Sequence, residues 1–182
     1  MSSGHPFHPA IVHFPIGFLT FAHAIDILYY LTTAAPVSLP ILTTQLAPLF
    51  PQLLPAARIM HVVGLALAVP AVVSGLLQAS AQASNAGSLF ESDGKTVKRK
   101  FLVLAAHAGL NDLVILVSAV SWYGRYQAYG LVADAPPRGL DHLISALVVP
   151  VLFFAASLGG DLVYKHGMGF AATSGGDLKK RK

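Results

Sequence analysis

The chain has 182 residues, of which 54% are hydrophobic and only 11% charged, with a formal net charge of +4 and no cysteine. A water-soluble domain carries about 25% charged residues, and a chain this poor in charge would expose large apolar patches to water. With a mean hydropathy of +0.63, the composition points to a membrane protein. The lack of cysteine excludes disulfides, thiolate metal sites, iron–sulfur clusters and thioether-attached haem. No zinc finger, RNA-binding signature or basic helix is present, so no nucleic-acid partner is expected.

The length predicts one domain. It divides into an N-terminal segment at 1–10, a membrane domain at 11–168 and a basic tail at 169–182 that reads as disordered. The stretch HPFHPAIVHFP, residues 5–15, sets three histidines and three prolines just before a long apolar run. Pro9 is expected to turn the chain so that His8 folds back over the mouth of a bundle. The first predicted span covers 11–31 and contains His13, His23 and Asp26. The loop at 32–55 holds Pro36, Pro40, Pro48, Pro51 and Pro55 without a charge. That density forbids one continuous helix and predicts short turns along the interface.

The second span covers 56–77, with Arg58 and His61 near its start and Pro70 expected to kink it. His61, Gly64, Ala68, Ala71 and Gly75 share one face, and small residues allow close helix approach. After a polar loop, the third span covers 101–122 and carries His107, Asn111 and Asp112; His107, Asn111, Ser118 and Ser121 form a polar stripe. The fourth covers 140–164. Each reaches the roughly 20 residues a bilayer requires. Lipid offers the backbone no partner, so each must be helical. The fold class is therefore all-α, an integral membrane four-helix bundle.

Orientation follows from the basic residues. Lys95, Lys98, Arg99, Lys100, Lys165, Lys179, Lys180, Arg181 and Lys182 fall on one side of a four-span topology, and Arg58, Arg125 and Arg138 on the other. The positive-inside rule then puts both termini in the cytosol.

Ionisable groups inside spans are costly and mark function. His13, His107, Asp161 and His166 are expected at one leaflet. His61, His142, and His23 with Asp26 are expected toward the other. Imidazole is the common haem ligand, so a b-type haem held by His13 and His107, with His166 and His61 in reserve, is one reading. A divalent metal held by His13, His107 and Asp161 is another. The bland alternative is that histidines near helix ends bond headgroups or backbone at the interface, and that His23 with Asp26 is a buried structural hydrogen bond.

The opening His8-Pro9-x-x-Val12-His13-Phe14-Pro15 and the closing Gly159-Gly160-x-Leu162-Val163-Tyr164-x-His166-Gly167 resemble domain-of-unknown-function family 2231, a family of integral membrane proteins. His107 also resembles that family's third-helix histidine. The likeness covers nearly the whole chain and implies a membrane location and a four-helix fold. It carries no activity with it; that some relatives are joined to cytochrome-like domains is an association with redox work and no more, with a redox partner as one candidate partner.

Three functions compete. The first is haem-b binding for electron transfer. The second is a structural or assembly subunit. The third is a small proton or divalent-metal transporter lined by His61, His23, Asp26 and Asp112, for which four spans would require a homo-oligomer. No nucleophile–base pair, phosphate loop or paired carboxylates stand out, so the sequence favours a protein that is not an enzyme. Lysines third and fourth from the C-terminus resemble an endoplasmic-reticulum retrieval signal, with a basic tail on anionic lipid as the equal alternative.

Overall fold

The structure is a computed structural model and describes residues 7–35, 40–84 and 89–168, without the side chains of Phe7, Ile41 and Leu42. His5 and the basic tail lie outside the described residues.

A one-turn segment, α1 (Phe7–Ile11), leads into the first long helix, α2 (His13–Thr33). The proline-rich loop holds a short helix, α3 (Pro40–Gln45), and a 3₁₀ turn at Ala47–Leu49. Three further long helices follow: α4 (Phe50–Ala83), α5 (Arg99–Tyr129) and α6 (Gly139–Tyr164). Each of the four long helices is long and apolar enough to cross a membrane. At 1.5 Å per residue even the 21-residue α2 is about 32 Å long, enough for the hydrocarbon core. Among the described residues there is no strand beyond one isolated bridge, Phe90 to Val97.

α2 packs mainly on α4 and α6, and α5 on α6 and α4, so the four helices close a ring. α2 and α5 begin at one end and α4 and α6 finish there. That end carries Lys98, Arg99, Lys100 and Lys165 and is called the basic end; the opposite one is the far end. Aromatic residues Tyr29, Tyr30, Trp122, Tyr123 and Tyr126 ring the far end, where amphipathic rings favour a membrane interface.

The second span starts earlier than its sequence implies. α4 begins at Phe50, with Pro51 in its first turn and Pro55 one turn on. A helix's first turn tolerates proline because its N–H groups have no intrahelical partner there. The early turns are also anchored: Phe50, Leu54 and Ala57 form a small core with Ile25. Farther along, α4 continues through Pro70, which faces outward. Of the small-residue face, His61, Gly64, Ala68 and Ala71 are buried and Gly75 half-buried, and Gly64 sits so close to α2 that an added Cβ would lie 2.9 Å from Leu19 Cγ.

The outer surface is apolar, and the interior holds polar groups beside its apolar core. Ile59, Val69, Leu76, Leu102, Leu116 and Leu147 are exposed, whereas His23, Asp26, His61, Ser118, Ser121, Arg125, Asp141 and Ser145 are buried. Lipid, not water, is the solvent this surface fits.

Candidate functional site

Three layers stack along the bundle interior. The middle one is apolar: Leu19 of α2, Val114 of α5, and Val148 and Leu152 of α6 form one buried cluster, with Leu65 of α4 against it. Helical periodicity then places His23, Ser118 and Ser145, each about one turn farther toward the far end, in a common polar layer.

Two of these contacts to His23 have a readable direction. Ser145 Oγ donates to Asp26 Oδ2 at 3.0 Å, which uses its single proton. His23 Nδ1, 2.9 Å from Ser145 Oγ, must therefore be the donor of that bond. In a neutral imidazole the other nitrogen is then an acceptor, so Ser118 Oγ donates to His23 Nε2, 2.9 Å away. Every proton in the series Ser118, His23, Ser145 points toward the Asp26 carboxylate. A second ring, His61, lies edge-on to His23 with centroids 4.9 Å apart. Its Nε2 donates to the Ser118 carbonyl at 3.0 Å.

Beyond Asp26 the charges alternate. Arg125 of α5 pairs with Asp26 Oδ2, and its Nε lies 3.1 Å from Asp141 of α6. Asp141 also accepts from Ser121 at 2.8 Å. Arg138 Nε and Nη2 donate to it at 2.9 and 2.8 Å, as does the Arg138 backbone N–H, which closes a capping box at the start of α6. Two carboxylates and two guanidiniums leave the cluster neutral, the arrangement that makes buried charge tolerable. One acceptor stands apart: Asp26 Oδ1 is buried with no hydrogen-bond partner among the described residues. His142 Nδ1 donates to the Asp26 carbonyl at 2.9 Å. Arg58 caps the C-terminal end of α5 by donating to the Gly130 carbonyl at 2.8 Å, where Gly130 takes a positive φ of 58°.

The polar layer at the basic end is smaller. The first segment folds His8 over the bundle mouth, where its Nδ1 lies 3.0 Å from Ser74 Oγ. Ser74 gives its proton to the Ala71 carbonyl, so His8 Nδ1 is the donor. His107 Nδ1 donates to the Ala155 carbonyl of α6 at 2.8 Å, and Asn111 donates to the His107 carbonyl at 2.7 Å. Both rings rest on glycine: a Cβ at Gly75 would meet His8 Cε1, and one at Gly159 would meet His107 Cε1, each at 2.8 Å. The two rings are near enough to interact electrostatically.

The sequence-derived site residues divide accordingly. His23, Asp26 and His61 meet in the far layer, and His107 and Asn111 in the basic-end layer. His13 does not join them: it is exposed and lines an outward depression with Phe14, Gly17, Phe18, Phe21 and Met60. Asp161 is partly exposed and pairs with Lys165 at 2.8 Å. His166 is half-buried, its backbone N–H bonded to the Asp161 carbonyl. The proposed metal set of His13, His107 and Asp161 does not assemble, because His13 turns out of the bundle while His107 turns onto α6. Among the described residues no three histidine, aspartate or glutamate side chains gather to hold a metal ion. Asp112 faces outward from α5. Sequence reasoning missed Arg125, Asp141 and Ser145. The signal was present on α5, where Ser118, Ser121 and Arg125 follow i, i+3, i+7 spacing on one face.

The family model described as "Predicted membrane protein (DUF2231)" matches residues 4–172. No curated protein and no solved structure matches the chain.

Proposed function

Because the chain belongs to this family of membrane proteins, its work is done within a bilayer, and we propose that its interior is a proton relay ending on Asp26. The observation that carries this reading is the single direction of the hydrogen bonds from Ser118 through His23 and Ser145 to Asp26. A proton reaching Ser118 passes to His23 Nε2, His23 releases its Nδ1 proton to Ser145, and Ser145 protonates Asp26. Imidazole suits the middle position because it accepts at one nitrogen while donating from the other. Protonated Asp26 no longer balances Arg125, so the ion pairs that join α2, α5 and α6 shift and expel the proton toward the far end, which returns Asp26 to its charged form for the next transfer. The apolar layer of Leu19, Val114, Val148 and Leu152 is the barrier that a proton or water must cross to load Ser118 from the basic end. By the positive-inside rule that end faces the cytosol, the side on which a C-terminal lysine pair would be read for retrieval to the endoplasmic reticulum.

The test is proton flux in proteoliposomes under an imposed pH gradient, with a pH-sensitive dye inside. The full chain is expected to speed equilibration, and His23→Ala and Asp26→Asn to return it to the rate of empty vesicles. Wild-type protein that conducts no faster than empty vesicles would overturn the relay and leave the cluster as a packing lock.

A second reading keeps haem b, on a different pair from the one the sequence favours. His107 commits Nδ1–H to the Ala155 carbonyl, and His8, whose ring bonds Ser74 and the Ala71 backbone, lies beside it. Ligating histidines are oriented in this way, and haem iron requires two protein donors at most. The His23 and His61 rings suit haem poorly, since they touch and hold their bonds within the cluster. Purified protein titrated with haem would develop an absorption band that His107→Ala abolishes; no band in wild-type protein would end this reading.

A further inference from the structure

Asp112 is a carboxylate in the wrong place. It lies within the third span, about 16 Å along the helix from either end of the 101–122 apolar stretch. It is exposed, and it has no hydrogen bond or ion pair among the described residues. A carboxylate facing lipid at mid-depth costs about 3 kcal/mol or more. The buried Asp26, Arg125 and Asp141, by contrast, each have a counter-charge. Around Asp112 the outward face of α5 carries Gly109, Leu113 and Leu116. Nothing lies within 4 Å of the position a Cβ would take at Gly109, so the surface there is open to a neighbour.

The complementary surface is on the same molecule, across the bundle. His13, Phe14, Gly17, Phe18, Phe21 and Met60 line an outward depression of about 290 Å³ on α2 and α4. Its floor at Gly17 is likewise free of contacts within 4 Å. His13 is its one titratable group and has no bond among the described residues. The depths match. α2 and α5 run the same way; Val114 packs level with Leu19 and Ser118 bonds His23. Asp112 is therefore level with Gly17, one turn from His13. His13 lies about 6 Å along the axis from that level, a separation that the carboxylate and the longer imidazole side chain span together.

We propose that the outward face of α5 around Asp112 docks in the His13–Gly17 groove of a second copy of this chain, with the Asp112 carboxylate hydrogen-bonded to the His13 imidazole across the interface. The copies share one orientation in the bilayer, so no vertical shift is needed. The two patches differ, so the contact is head-to-tail and builds a ring where the rotation closes and an open row where it does not. The pairing satisfies a carboxylate and an imidazole that the monomer leaves facing lipid. It stands independently of the relay.

The chain's lack of cysteine makes the test clean. Gly17→Cys and Gly109→Cys are introduced separately into the full chain, the proteins are reconstituted in lipid vesicles alone or mixed, and disulfides are formed by mild oxidation. A dimer band is expected from the mixture and from neither variant alone. Asp112→Asn or His13→Ala should lower its yield at least tenfold. The exchange Asp112→His with His13→Asp should restore it, with the unfolding temperature of each variant confirming a folded monomer. A band from Gly109→Cys alone would mean that α5 pairs with α5. That result, or a folded mixture that gives no band, overturns the proposal.

Discussion

Arg125 holds the far end of the bundle together, since among the described residues it alone pairs with both buried carboxylates, Asp26 of α2 and Asp141 of α6. Removing the charge of Asp141 would leave Arg125 and Arg138 under-compensated. Asp141→Asn should therefore lower stability by about 3–5 kcal/mol, the scale for breaking a buried pair from one side, measured by unfolding in detergent. Ser121→Ala, which removes one of several donors to Asp141, should cost only about 1 kcal/mol. Outside the membrane, Asp93 accepts bonds from the Thr96 hydroxyl and from the Thr96 and Lys95 N–H groups in the turn at Gly94. Those bonds, the Thr96 hydroxyl first, hold its pKa down to about 2 from 3.8. A depressed carboxylate stabilises the turn fully above pH 3.8, and that contribution is lost as pH falls through about 2. The Thr96 amide resonance should titrate over that range, and Asp93→Asn should abolish the titration. At this scale the sequence was half legible. Intramembrane His23 and Asp26 announce themselves by type. Arg125, by contrast, reads as one of the few basic residues beyond a span until Ser118 and Ser121 are seen to share its face.

The helices pack as closely as their smallest residues permit. Gly64 lies under Leu19, with an added Cβ at 2.9 Å from the side chain and 3.2 Å from the backbone nitrogen. The backbone cannot yield cheaply, so Gly64→Ala should cost about 1–3 kcal/mol, the range for overpacking, again by unfolding in detergent. Gly160→Ala on α6, where nothing lies within 4 Å, serves as the neutral control. The number of spans was legible because a mostly apolar run of about 20 residues matches the thickness of a bilayer and suits little else. The start of α4 was not. Pro51 and Pro55 argue against helix by composition, yet the first turn accepts Pro51, the helix carries on through Pro55 one turn later, and the contact of Phe50 and Leu54 with Ile25 that fixes the start is a tertiary one.

The whole bundle is two polar layers separated by an apolar one, inside a shell made for lipid. Sequence depth placed histidines at two levels, and the structure has polar layers at both. Depth alone does not set the direction in which a side chain leaves its helix. For that reason His13, His107 and Asp161 share a level without sharing a site, while His23 and His61 touch. The proposed relay rests on the direction of the bonds around His23. The most direct measurement is nitrogen-15 solid-state NMR of histidine-labelled protein in bilayers, with the His23 signals assigned by comparison with His23→Ala. The relay predicts a neutral ring protonated at Nδ1, with a bare Nε2 accepting from Ser118. A ring fixed as the Nε2–H tautomer would reverse the bond to Ser118 and contradict a chain of donors that converges on Asp26.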